Sequence, residues 1–245
     1  MPLLAVTGIS KHFGGLLALN EISFSMEKGE ILGLIGANGA GKTTLFSVLS
    51  GYYSPERGIV ALKGEDVTGK KPFQICRKGM VRTFQVVRPL RNFTVLGNVM
   101  VGETFGRGRH KTRKECRSQA REVLGLVGLS GKENALAGRL GIADHKRLEL
   151  AKALSTQPEV LLLDEVLSGL TPAETEEAMA IIRRARQEMG LTILMVEHVM
   201  KAVMGLCQRV IVLHYGQKIA EGSPEEITRD KRVIKAYLGD DSAIE

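Results

Sequence analysis

The chain has 245 residues, 44% of them hydrophobic, with three cysteines, no tryptophan and a formal net charge of +7. That length holds one large domain, or a core with an inserted subdomain, and no run of about 18 uncharged apolar residues exists to cross a membrane. The opening Met1-Pro2-Leu3-Leu4-Ala5-Val6 lacks a basic stretch and a long apolar one, so no secretory signal is read there; Cys76, Cys116 and Cys207 have no metal-ligand or disulfide-framework spacing, which predicts reduced thiols.

In chain order, the pattern predicts strands at 3–10, 21–27, 31–35 and 59–62, joined by glycine turns. The third, Ile31-Leu32-Gly33-Leu34-Ile35, is continuously apolar and suits a buried parallel strand, while its neighbours have antiparallel character. A helix over 43–50 follows and stops at Gly51. From about 89 to 154 the sequence is mostly helical and charged, with no strong strand. Strands return at 160–163, 191–196 and 209–213. Between the first two, Thr171-Pro172-Ala173-Glu174 is a capping box with proline at the first helical position, and that helix runs to Gly190. His214-Tyr215-Gly216-Gln217 turns into a short strand at 218–221, and Ser223-Pro224-Glu225-Glu226 caps another helix. No repeat and no long linker interrupts this α/β plan with a helical insertion.

The positive charge is local. Between Arg107 and Arg121 lie seven basic residues, Arg107, Arg109, Lys111, Arg113, Lys114, Arg117 and Arg121, against one acid, Glu115. A solvated helix face explains such a run, and a surface near anionic lipid headgroups is the functional alternative. Nucleic acid is not expected as a partner, because the chain has few aromatic residues on which bases could stack.

Residues 36–43, Gly-Ala-Asn-Gly-Ala-Gly-Lys-Thr, fit the phosphate-binding pattern G-x-x-x-x-G-K-[ST]. A loop that wraps a triphosphate turns its backbone N–H groups inward, and Gly36, Gly39 and Gly41 permit that turn. Lys42 reaches the β- and γ-phosphates, the Thr43 hydroxyl is a Mg²⁺ ligand, and Asn38, Ala40 and Thr44 complete the predicted nucleotide-binding set. The helix that starts near Lys42 presents its positive end to the anion. The motif sits between a strand and a helix, where its mechanics require it.

Val160-Leu161-Leu162-Leu163-Asp164-Glu165 places two carboxylates beyond a buried strand, at the end where ligands bind in open α/β sheets. Asp164 is expected to hold Mg²⁺ through water and Glu165 to polarise the attacking water. A second buried strand ends in Glu197-His198, which puts His198 in reach of a γ-phosphate. Gln85, in Arg82-Thr83-Phe84-Gln85, is a candidate to touch Mg²⁺ or water. Phe13, on a predicted turn in Lys11-His12-Phe13-Gly14-Gly15, is a candidate to stack on adenine, with a core phenylalanine as the alternative.

These motifs, in this order, resemble the ATP-binding subunits of ABC transporters over nearly the whole chain. The resemblance implies a P-loop NTPase core with an antiparallel β subdomain and an inserted helical subdomain. It implies one ABC ATP-binding domain over 1–245, with the core at 1–88 and 158–222, the helical subdomain at 89–157 and a helical tail at 223–245. By the same resemblance Phe13 is the A-loop aromatic, Gln85 the Q-loop residue, Glu165 the catalytic glutamate, Ser168 to Thr171 the D-loop and His198 the switch histidine.

Arg82-Thr83-Phe84-Gln85, Phe93-Thr94-Val95 and the C-terminal Tyr215-Gly216-Gln217-Lys218-Ile219-Ala220-Glu221-Gly222 and Val233-Ile234-Lys235-Ala236-Tyr237-Leu238-Gly239 are similar to the branched-chain amino acid transport branch. That implies ATP and Mg²⁺, a paralogous ATPase subunit in a heterodimer (or a homodimer), permease subunits, a periplasmic binding protein acting indirectly, and a peripheral place on the cytoplasmic face of the inner membrane. Urea, amides and aromatic or organic acids are alternative cargoes; a soluble ABC ATPase acting on DNA or ribosomes and a P-loop GTPase or kinase are the rival classes. The sequence departs from the family at Leu140-Gly141-Ile142-Ala143-Asp144, where L-S-G-G-Q is usual, at Thr171 and at Val199, each in place of a usual Asp.

Overall fold

Alternation, continuous apolar runs and capped helices divide the chain into ten strands and nine α-helices among the described residues, 1–84, 89–107 and 112–238 of the computed structural model. The first stretch carries β1 (Leu4–Phe13), β2 (Leu16–Met26), β3 (Ile31–Ile35), α1 (Lys42–Leu49), β4 (Arg57–Leu62) and β5 (Glu65–Asp66). Next come α2 (Pro72–Lys78), β6 (Met80–Arg82), α3 (Val95–Phe105), α4 (Arg113–Leu126), α5 (Ile142–Leu154), β7 (Val160–Asp164) and α6 (Pro172–Met189). The chain ends with β8 (Thr192–Val196), α7 (Met200–Leu206), β9 (Arg209–His214), β10 (Gln217–Gly222), α8 (Pro224–Arg229) and α9 (Lys231–Leu238). Two compact units result: Met1–Pro72 together with Thr192–Glu245, and Phe73–Leu191.

The first unit holds an antiparallel sheet in the order β2-β1-β4-β5, and a mainly parallel set in the order β10-β9-β3-β8. β3 pairs in parallel with β8 on one side and β9 on the other. All five of its residues are buried, which is why its sequence is continuously apolar instead of alternating. At Gly33 a Cβ would crowd Cys207 Sγ at 3.0 Å and Val210 Cγ2 at 3.3 Å. β1 runs three residues past the predicted end. A bulged register with β2 carries it through Lys11↔Leu19 and His12↔Leu17 to Phe13↔Leu16, so Phe13 closes a strand and does not lie on a turn.

The second unit is the helical insertion with a two-stranded parallel piece. β6 pairs with β7 through Met80↔Val160, Val81↔Leu161 and Arg82↔Leu162. Periodicity gives no sign of β6, since three residues carry no pattern. α3 packs on α4 and α5; a Cβ on Gly102 would lie 2.9 Å from the Lys152 carbonyl of α5. α6 starts and stops as predicted, with the Thr171/Glu174 capping box, Pro172 in the first turn and Gly190 left-handed at φ 65°. The basic run is solvated where described: Arg113, Lys114, Arg117 and Arg121 are exposed on α4, Arg121 pairs with Glu133 at 2.8 Å and Arg107 with Glu159 at 2.5 Å. Arg109 and Lys111 lie outside the described residues.

Candidate functional site

The phosphate-binding loop leaves the buried end of β3 and enters α1. Gly36, Gly39 and Gly41 all have positive φ (153°, 81° and 103°). Gly36 has a second reason to be glycine, because a Cβ would run into the Leu213 carbonyl; at Gly41 it would meet the Ala18 carbonyl at 2.7 Å. The loop is held from below by the turn after β9, where Gly216 N–H donates to Ala40 O and Asn20 N–H to Gly216 O. Ala37, Asn38 and Gly39 are exposed at the tip, whereas Ala40 is buried. Lys42 is 6% exposed, and its Nζ donates to Gly36 O (2.7 Å) and Ala37 O (2.9 Å). Its ammonium thus sits over the loop's own carbonyls, where a phosphate would be met by one lysine and the opening N–H groups of α1. Thr43 is exposed and Thr44 half-buried in the first turn of that helix.

Two more predicted residues lie in the same unit. The Phe13 ring is 41% exposed. It meets Tyr53 edge to face, centroids 5.1 Å apart, and Lys11 Nζ lies 5.6 Å from its centroid. An exposed ring so flanked is not a core phenylalanine. Tyr53, after the end of α1, is a residue that sequence reasoning passed over, and nothing in its local pattern singles it out. His198 is exposed and follows the buried Glu197 at the end of β8. With Ile35, Glu197, Met200, Val233 and Tyr237 it lines a cavity of about 370 Å³. Burial pushes the Tyr237 phenol up, and the Gly36 N–H bonded to it works the other way.

In the second unit, Asp164 is the last residue of β7 and only 3% exposed. Arg82 answers its charge: Nη2 lies 2.6 Å and Nε 3.2 Å from Oδ2. Thr83 is fully buried beside it; its hydroxyl accepts the Asp164 N–H at 3.1 Å and donates to Leu162 O at 3.4 Å. Glu165 follows with a left-handed backbone, φ 49°, that turns the chain sharply off the strand. Its carbonyl accepts from Lys146 Nζ at 3.2 Å. Arg82 and Thr83 stand next to the predicted Gln85, which lies outside the described residues, and that adjacency was the signal available in the sequence. At 140–144, Gly141 caps α5 with no side-chain bond, and the Asp144 carboxylate is ion-paired with Lys132.

The donor chemistry fits what the motifs imply. Lys42 and the loop amides suit a polyphosphate. The Thr43 hydroxyl and the Asp164 carboxylate are hard oxygen donors of the kind Mg²⁺ takes, and Asp164 already attracts a cation.

The family model described as ABC transporter matches residues 19–168, and that described as branched-chain amino acid ATP-binding cassette transporter matches 217–243. The chain is 41% identical to the high-affinity branched-chain amino acid transport ATP-binding protein LivG of Escherichia coli K12 and 39% to BraF of Pseudomonas aeruginosa, each over 98% of both chains. A solved nucleotide-free ATP-binding cassette from an ABC transporter superposes with a TM-score of 0.87 at 30% identity, over 98% of this chain and all of that one. The α/β expectation therefore holds at the level of the whole fold. With its phosphate loop, its Asp164-Glu165 pair and its C-terminal tail, the chain belongs to the ABC transporter family, as an ATPase subunit of the branched-chain amino acid group.

Proposed function

We propose that this chain powers the import of branched-chain amino acids. It docks on permease subunits at the cytoplasmic face of the inner membrane, and a periplasmic binding protein delivers the cargo to them. The observation that carries this reading is the end-to-end kinship with branched-chain amino acid transport ATP-binding proteins, the tail at 217–243 included. One ABC domain over 1–245 would act as a unit, with a core at 1–88 and 158–222. Lys42 binds the β- and γ-phosphates, Phe13 stacks on adenine, Glu165 polarises the attacking water and His198 contacts the γ-phosphate. Thr43, Gln85 and Asp164 would hold Mg²⁺, which neutralises charge on the phosphoryl group in flight. Catalysis is then positioning and charge stabilisation by preorganised groups.

The productive partner is a paralogous subunit with an ordinary signature. Support for this comes from 140–144, where α5 starts at a glycine that offers no hydroxyl, so the site this chain completes for its partner has only backbone N–H groups to give. The test is the transporter reconstituted in vesicles with leucine, urea, an amide and an aromatic acid as cargoes. Leucine uptake that depends on ATP and is lost in Glu165→Gln is the expected result. Uptake of another cargo alone would overturn the substrate, and Glu165→Gln turnover within about threefold of wild type, a barrier change under roughly 0.7 kcal/mol, would overturn the catalytic role. Lys42→Ala should cost much more ATPase than the matching lysine change in the partner; equal losses remove the asymmetry.

A further inference from the structure

Arg82 has no role in the assignment above, yet its buried guanidinium is bound twice to the Asp164 carboxylate. The parallel register sets Arg82 opposite Leu162. Residues two apart on a strand share a face, so Asp164 stands on the same face as Leu162, one step further along. A long side chain is needed to cover that diagonal, and Arg82 covers it with two bonds, both to Oδ2 and none to Oδ1. The Arg82 and Asp164 side chains are 8% and 4% exposed, so neither is held in place by water. The guanidinium carbon lies 5.5 Å from the Phe84 ring centroid, within the range of a cation–π contact. The peptide end of Asp164 is tied separately by Thr83.

We propose that Arg82 is a positioning residue for the metal. It takes Oδ2 of Asp164, locks the carboxylate in one orientation and reserves Oδ1 for the hydration shell of nucleotide-bound Mg²⁺. This rests on Asp164 being the Mg²⁺ carboxylate, as proposed above. Carboxylates that serve a metal are themselves oriented by outer partners, and loss of such a partner costs about 10–100-fold in metal affinity. A fixed fork does this better than a lysine, whose single ammonium does not set a plane.

The test reads metal binding without turnover. Mn²⁺ replaces Mg²⁺, ADP is saturating, and free Mn²⁺ is followed by electron paramagnetic resonance on the full chain. Arg82→Met should weaken Mn²⁺ by about tenfold or more, and Arg82→Lys should recover part of that. Unchanged affinity in Arg82→Met overturns the proposal, and tighter binding overturns it too, because Arg82 would then compete with the metal. Asp164→Asn separates the two readings. If it binds Mn²⁺ like wild type, the assignment of Asp164 fails; if it binds weakly while Arg82→Met is normal, only the role of Arg82 fails.

Arg82→Met leaves a buried carboxylate without its cation and could fail to fold, so a second measurement uses the wild type. The Arg82 Nε–H nuclear resonance, identified by its loss in Arg82→Lys, should stay protected from water exchange when Mg²⁺ and ADP are added. Its exposure on adding Mg²⁺ would show the guanidinium giving way and would overturn the proposal.

Discussion

Thr83→Val is a sharp test of how the end of β7 is held. Valine keeps the shape of threonine and replaces only the hydroxyl by a methyl. Thr83 is fully buried, and its hydroxyl accepts the Asp164 N–H at 3.1 Å. The substitution leaves that N–H buried and unpaired, which costs about 1–3 kcal/mol. The second bond, to Leu162 O at 3.4 Å, is long and adds little, since Thr83 N–H already donates to that carbonyl at 2.9 Å. For a chain of this size each kcal/mol moves Tm by about 2–4 °C, so a loss near 2 kcal/mol lowers Tm by about 4–8 °C. Thr83→Ser is the control. It keeps the hydroxyl and loses one methyl, at a cost of about 0.5–1.5 kcal/mol. Urea denaturation of the three proteins should rank wild type, Ser, Val. If valine is as stable as wild type while serine is not, the methyl matters and the hydroxyl does not, and the account of the Asp164 anchor is wrong.

Phe13→Ala should weaken ATP binding by about 1–3 kcal/mol, the worth of one base stacked on an aromatic ring, with little change in Tm because the ring is exposed; unchanged affinity with a lower Tm would make it a packing residue of the Tyr53 cluster. Burial, and after it the charge of Glu197, push the Cys207 thiol up to about 12, so iodoacetamide at pH 8 should leave Cys207 unmodified in the native protein and alkylate it in denaturant, as read by peptide mass spectrometry. Equal labelling rates in both states would refute its burial. The Glu174 carboxyl is held below its ordinary value by the Thr171 backbone N–H and then by the Thr171 hydroxyl. A depressed folded-state value gives stability that is present above the unfolded value and lost as pH falls through the folded one. The Tm deficit of Glu174→Ala should therefore be largest near pH 7 and shrink below about pH 4, and a deficit constant down to pH 3 would mean that the carboxylate charge plays no part in the cap.

By itself the sequence determined the features whose physics is local. Gly36, Gly39 and Gly41 announce a loop that needs positive φ, and the folded loop has it at all three. The ends of α6 follow from Thr171, Pro172, Glu174 and Gly190, which act on their own helix. The runs at 31–35, 160–163 and 193–196 carry no polar side chain because every position in them is buried. Tertiary structure decided the rest. β6 is three residues long and exists because β7 pairs with it; alone it has no period to read. Arg82 and Asp164 are 82 positions apart, and only the parallel register brings the guanidinium to the carboxylate. Phe13 ends in a strand because a bulged pairing with β2 extends β1 past its alternating part. Local chemistry names the groups that handle a nucleotide, but the orientation of each depends on strand partners distant in sequence, whose contacts follow from burial across the whole unit.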